Sequence, residues 1–225
     1  MKLSSEALQV LKNFSTICKG LSVSKGNVLR TTNPGRTVLA EATLEEDFPK
    51  SFSVYDLTEL LGVLSLFKSP IFDFDVDDSF VVIREEDGRS NLRFNFCDPT
   101  FVDSPKKEII MPDEKIKFVI SADELAQTIR AASILQAPNI VFSSDGQDIF
   151  VEATDEKNSS VNNFKLKVAD GNGDKYRIVL LAANFKMLPN TYNVSISSKP
   201  ICRFESDDGS VRYYAALETT TTYGE

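Results

Sequence analysis

The chain has 225 residues, 42% of them hydrophobic and 26% charged, with a formal net charge of −8 and no histidine. Ordinary globular proportions and the lack of any apolar run near the ~18 residues of a membrane span argue against disorder and against a transmembrane helix. Without histidine the commonest metal ligand, the commonest general base and every Ser-His or Cys-His nucleophile pair are excluded, and Cys18, Cys97 and Cys202 are too scattered for a disulfide framework or a zinc site.

The first residues predict a short strand, followed by an amphipathic helix over 4–19. Its core stripe is Leu8, Leu11, Phe14 and Cys18 with Ala7, at i, i+3 and i+4 spacing, while Gln9, Lys12, Asn13, Thr16 and Lys19 turn away. Ser4 or Ser5 can cap its start, and Gly20 lies just past its end. Strands are expected over 27–32 and 36–44 around Asn33-Pro34-Gly35. A second helix over 55–67 buries Leu57, Leu60, Leu61, Leu64 and Phe67. Alternation of Phe72, Phe74 and Val76 with Asp73, Asp75 and Asp77 predicts a strand with a solvated acidic face. As a calcium loop this stretch fails twice, at Asp78 where glycine is needed and at Arg84 where a bidentate glutamate is needed. Strands over 79–84 and 91–96 complete the first half.

Residues 98–115, with Pro99, Pro105, Pro112 and the run Pro105-Lys106-Lys107-Glu108, predict a connector. Domains are placed at 1–105 and 116–225, with the linker at 106–115. Beyond it the order returns: a strand near Lys117, then a helix over 121–136 opened by the capping box of Ser121 and Glu124. Leu125, Ile129 and Ala132 face its core, and Gln127 and Arg130 face outward. Strands over 139–142 and 148–153 flank Ser144-Asp145-Gly146, read as the counterpart of the Asn33 turn. Strands over 161–168 and 175–180 flank Asp170-Gly171-Asn172-Gly173-Asp174, read as a hairpin turn. A short helix over 181–188 presents Lys186 and is stopped by Pro189. Strands over 192–197, 201–205 and 211–217 follow, and the tail 219–225 is expected to fray.

The chain thus says the same thing twice, and internal duplication sets the fold before any single residue does. Each half is α+β, with two helices sharing one face of a mainly antiparallel sheet. No Walker-type glycine loop and no G-x-G-x-x-G is present, so nucleotide binding has no support and no cofactor is expected. Charge is unevenly spread. Lys2, Lys12 and Lys19 stand against Glu6, Lys68 against Asp56 and Glu59, and Arg130 against Asp123 and Glu124, with Lys186 alone, which leaves the helical segments at +1 and the rest of the chain at −9. Lysines on a helix are ordinarily a solvated face; the alternative is a face that meets phosphates without reading bases.

The stretches L-K-N-F-S-T-I (11–17), A-E-A (40–42), Y-D-L-T-E-L-L-G-V-L-S-L (55–66), N-F-K-M-L-P (184–189) with Tyr192, and A-A-L-E (215–218) resemble the DNA sliding clamp of large tailed bacteriophages, the DNA polymerase processivity factor. The resemblance runs from Met1 to Glu218 and includes the duplication. It implies a duplicated DNA-clamp domain and a ring of three chains, a homotrimer joined head to tail through edge strands. It also implies helices lining a hole for double-stranded DNA of any sequence. On that model Lys12, Lys19, Lys2, Arg130, Lys186 and Lys68 face the DNA, and Ile109, Ile110, Met111 and Leu217 wall a pocket for a partner peptide. The implied partners are the DNA polymerase, an ATP-driven clamp loader, and host RNA polymerase with a phage sigma-like factor in late viral transcription. The setting is the cytoplasm of the infected bacterial host, with no membrane and no catalysis. A second reading stays open: a non-catalytic structural or assembly protein built from duplicated domains.

Overall fold

The computed structural model describes residues 1–105, 108–158 and 160–224. Lys106 and Lys107 of the expected linker and Glu225 of the tail lie outside the described residues. The chain divides into two compact units, Met1–Glu108 and Ile109–Glu225.

In unit 1, helix α1 (Ser5–Ile17) is followed by strands β1 (Leu21–Val23), β2 (Gly26–Thr32), β3 (Val38–Phe48) and β4 (Phe52–Val54). Helix α2 (Leu57–Leu64), strands β5 (Pro70–Asp73), β6 (Phe80–Glu85) and β7 (Asn91–Asn95), and a 3-10 turn at Pro99–Phe101 complete it. The strands pair antiparallel in the order β4-β1-β2-β3 and, separately, β5-β6-β7. The first residue lies along β5: the Met1 ammonium donates to the Phe72 carbonyl (2.7 Å) and the Phe72 N–H donates back to Met1 (2.8 Å). Between the layers, Phe48, Phe52, Phe72, Phe74 and Phe96 pack ring against ring, with centroids 4.6 to 6.5 Å apart.

Unit 2 repeats the plan. Strand β8 (Ile116–Ile120) leads into helix α3 (Ala122–Leu135), then β9 (Asn139–Asp145), β10 (Asp148–Thr154), β11 (Phe164–Asp170) and β12 (Lys175–Leu181). A 3-10 turn at Ala182–Asn184 precedes β13 (Tyr192–Ile196), β14 (Ile201–Ser206), β15 (Val211–Ala216) and β16 (Thr222–Tyr223). The orders are β11-β10-β9-β12-β16 and β15-β14-β13-β8, all antiparallel. The run β11-β10-β9-β12 reproduces β3-β2-β1-β4, and β13-β14-β15 reproduces β5-β6-β7, so the duplication holds at the level of topology.

Several local expectations give way to tertiary contacts. The turn at Ser144-Asp145-Gly146 joins β9 to β10, whereas Asn33-Pro34-Gly35 joins β2 to β3; by strand order they are not counterparts. The 170–174 run is no hairpin turn, because β11 pairs with β10 and β12 with β9. The glycine-rich chain instead crosses the β9–β10 turn, with the Gly171 N–H donating to the Gln147 carbonyl (2.6 Å) and the Gly173 N–H to the Gly146 carbonyl (3.0 Å). A Cβ on Gly171 would stand 2.8 Å from the Gly146 oxygen, which only glycine avoids.

The helix expected over 181–188 shrinks to one 3-10 turn. Phe185 leaves the helical region at ψ 59° and is buried against Phe142 and Phe204, while the Leu188 backbone is held by the Tyr192 and Tyr213 hydroxyls. Strand β5 stops at Asp73, whose side chain accepts from the Asp75 N–H (3.3 Å), and the Asp77 side chain accepts from the Ser79 N–H (2.7 Å), so the chain turns where the alternation predicts extended backbone. The tail does not fray: residues 222–223 form β16 on β12.

Candidate nucleic-acid interface

Helix α1 and the segments that flank α1 and α2 carry the candidate cations of unit 1. The Ser4 hydroxyl accepts the Ala7 N–H (3.1 Å) to start α1, and the Asp56 carboxylate accepts the Thr58 and Glu59 N–H groups (3.0 and 3.2 Å) to start α2. Helix α1 buries Ala7, Val10, Leu11, Phe14 and Ile17. The stripe is rotated from the expected one, with Val10 and Ile17 inside and Leu8 and Cys18 half-buried. Helix α2 buries Leu57, Leu60 and Leu64, leaving Leu61 and Phe67 half-buried.

The half-buried residues explain themselves in the groove between the two helices. Leu8, Leu61, Leu64, Phe67 and Pro70 floor a groove of about 630 Å³, and Gly62 contributes no side chain to fill it. Its rim carries Lys12 and Lys68 with the hydroxyl residues Ser15, Thr58 and Ser65. Leu8, Lys12 and Ser15 share one face because they are spaced by four and three residues on α1. Unit 2 has a smaller version, about 350 Å³, between α3 and the 187–189 segment, lined by Leu125, Ile129, Arg130, Met187 and Leu188 among others. Its helix opens with the expected capping box, the Ser121 hydroxyl accepting from Glu124 N–H and Glu124 accepting from Ser121 N–H. Thr128 rather than Ile129 joins Leu125 and Ala132 in the core, its hydroxyl satisfied by the Glu124 carbonyl (2.8 Å), which frees Ile129 for the groove.

The candidate phosphate-facing cations are not equivalent. Lys2 is held by Glu86 at 2.7 Å. Lys19 lies 3.3 Å from Asp56 and 4.9 Å above the Tyr55 ring. Although burial works to raise the Asp56 carboxyl, the hydrogen bond from Glu59 N–H and the Lys19 charge hold it below the ordinary value. Lys12 and Lys68 are exposed, and the Lys68 backbone N–H donates to the Glu85 carboxylate (2.8 Å), whose charge the Lys68 ammonium also feels. They converge on one groove, Lys12 from α1 and Lys68 from the segment that follows α2. Arg130 is exposed on α3, at its own groove, and Lys186 is exposed just past the 3-10 turn. The Ser15, Thr58 and Ser65 hydroxyls were missed by sequence reasoning; only the pairing of α1 with α2 brings them beside the lysines.

The four residues expected to wall a peptide pocket differ in setting. Ile110 is 83% exposed, Ile109 and Met111 are half-buried, and Leu217 is 8% exposed with its N–H donated to the Pro200 carbonyl (3.1 Å). Among the described residues no cluster of three or more His, Cys, Asp or Glu could hold a metal ion, and no helix is long and apolar enough to cross a membrane.

Residues 4–74 match the family model described as DNA polymerase processivity factor. The chain is 29% identical to the sliding clamp of Vibrio phage KVP40, covering 97% of this chain and 99% of that one. It is 28% identical to the sliding clamp of Enterobacteria phage T4, covering 99% of each. Among solved structures, that of the C-terminal region of FEN-1 bound to A. fulgidus PCNA superimposes with a TM-score of 0.68 at 17% identity, over 96% of both chains. The fold is thus the clamp fold, and the resemblance read from short stretches extends along the whole chain.

Proposed function

We infer that this chain, a relative of the phage sliding clamps over almost its whole length, is a polymerase processivity factor that closes with two further copies around duplex DNA. The observation that carries the reading is the combination of whole-length similarity with a duplicated fold that presents Lys12 and Lys68 at one groove and Arg130 at the other. In such a ring the lysines attract phosphates without reading bases, so the ring holds DNA and still slides. Processivity then comes from topology and effective concentration: a polymerase tethered to the ring rebinds its template before it diffuses away. No residue needs to do chemistry.

Each unit offers one strand edge suited to closure. Strand β7 ends the order β5-β6-β7, and β11 ends the order β11-β10-β9-β12-β16. Leu92 and Phe94 on β7 and Leu166 and Val168 on β11 alternate with polar residues, which is the pattern of strands that can extend a sheet. Pairing β7 of one copy with β11 of the next is heterologous and closes by rotation. From the resemblance the reading extends to an ATP-driven loader that opens the ring, to DNA polymerase and, with a sigma-like factor, host RNA polymerase as clients, and to the cytoplasm of an infected bacterium.

The test is size exclusion with light scattering over a range of protein concentrations, with Leu166→Pro as the edge variant. A mass of three chains of 25.0 kDa for the unmodified protein, lost in the variant, supports the ring. A strict monomer at every concentration overturns it and leaves the assembly-protein reading.

A further inference from the structure

The C-terminal segment lies as a strand on the outer edge of β12, with Tyr176 opposite Tyr223 and Arg177 opposite Thr222. The Glu218 N–H donates to the Val179 carbonyl (2.8 Å), the Val179 N–H donates to the Thr221 hydroxyl (3.0 Å), and the Gly224 N–H donates to the Lys175 carbonyl (2.8 Å). Side chains add to this backbone ladder. The Tyr223 hydroxyl donates to the Ser197 carbonyl (2.6 Å), and the Lys115 ammonium stands 4.8 Å over the Tyr223 ring.

Two properties set this contact apart from a fixed edge cover. The strand is only two residues long and ends at Gly224, whose φ of +82° stops it. Tyr176, the residue that pairs with Tyr223, has a buried hydroxyl without a hydrogen-bond partner among the described residues. The tail is thus held by few backbone bonds and by side-chain-specific contacts, and strand addition to a sheet edge is a general mode of peptide recognition.

We propose that the β12 edge is a docking site for extended peptides, occupied in cis by the chain's own residues 219–224, and that it takes peptides carrying a hydroxyl residue two positions before a tyrosine. The hydroxyl receives the Val179 N–H, the tyrosine reaches Ser197 under the Lys115 ammonium, and the backbone between them pairs with β12. A tethered tail competes at a high effective concentration, so a partner gains the site when the tail is released or its own peptide binds more tightly. The proposal concerns unit 2 alone and goes beyond the clamp reading without depending on ring closure.

The probe is a fluorescein-labelled peptide of residues 218–224, titrated by anisotropy against the full chain and two full-length variants. Gly224→Pro removes the N–H given to Lys175 and forbids the positive φ; Tyr223→Ala removes the aromatic anchor. Both variants are expected to bind the peptide at least tenfold more tightly than the unmodified chain, while a peptide with its Thr221 replaced by valine binds none of them. Amide hydrogen exchange at Val179 should be faster in both variants and slow again when the peptide is added. Equal binding by all three proteins, or no saturable binding by either variant, overturns the proposal and makes the tail a permanent edge cover. A trimer measured by scattering neither produces nor prevents these outcomes, so failure here is distinguishable from failure of the ring.

Discussion

Lys19, two residues beyond α1, lies 3.3 Å from the Asp56 carboxylate that caps α2, so one carboxylate both starts a helix and ties it to the helix before. Replacing Asp56 with alanine removes the cap and should cost about 1 kcal/mol in urea unfolding. Lys19→Ala should cost much less, because the pair is largely solvated. The pH dependence has a defined sign. The folded carboxyl titrates below its ordinary value, so its contribution is fully present above about pH 4 and is lost as pH falls through the folded value. The stability gap between the unmodified chain and Asp56→Ala should therefore narrow below about pH 4; a gap constant down to pH 2 would contradict this account.

Gly171→Ala tests the crossing that the sequence disguised as a hairpin. Its Cβ would meet backbone, the Gly146 oxygen at 2.8 Å, so no side chain can move aside. Thermal unfolding should show a loss of roughly 1–3 kcal/mol, as for other overpacked sites. Alanine at Gly88, where nothing lies within 4 Å, meets only the strain of a positive φ and should cost less.

Where local signals agreed with the tertiary fold, the sequence was legible. Ser121 and Glu124 announce α3 and form its capping box, and the hydrophobic period places α1 and α2 within a few residues. Legibility failed where a distant group decided the matter. Phe185 and Leu188 look helical, yet an aromatic cluster and two tyrosine hydroxyls take them out of the helix. Tail residues such as Thr222 look polar and free until β12 offers them an edge. Among the candidate cations, the pattern could not separate Lys12 and Lys68 from Lys2 and Lys19, because the Glu86 and Asp56 partners of the latter two are a matter of folding.

The Leu188 loop gives a prediction in unit 2. The Tyr192 hydroxyl donates to the Leu188 carbonyl (2.6 Å), and the Leu188 N–H donates to the Tyr213 hydroxyl (3.1 Å), which fixes one wall of the α3 groove. Burial pushes both hydroxyls well above the ordinary tyrosine value, so Tyr192 keeps the proton that it donates to Leu188 and Tyr213 accepts as a neutral phenol. Tyr192→Phe leaves the carbonyl without that donor and should cost about 1–2 kcal/mol in denaturant unfolding. Exchange at the Leu188 amide should rise in the same variant; an unchanged rate would mean that the loop is held by its packing alone.

The cations themselves separate by salt dependence. If Lys12 and Lys68 meet phosphates, each contact removed should lower the magnitude of the slope of log affinity against log salt by about 0.9. The double variant Lys12→Glu with Lys68→Glu should therefore bind duplex DNA more weakly at about 50 mM salt and show a shallower slope toward about 200 mM. Lys2→Glu places a second carboxylate beside Glu86, so its effect on the slope should be smaller, since Lys2 already spends its charge at 2.7 Å from that group. Light scattering on the same samples checks that subunit assembly is unchanged. Equal slopes for the unmodified chain and the double variant would remove Lys12 and Lys68 from the DNA face and turn attention to Arg130 and Lys186, the exposed cations at and beside the groove of unit 2.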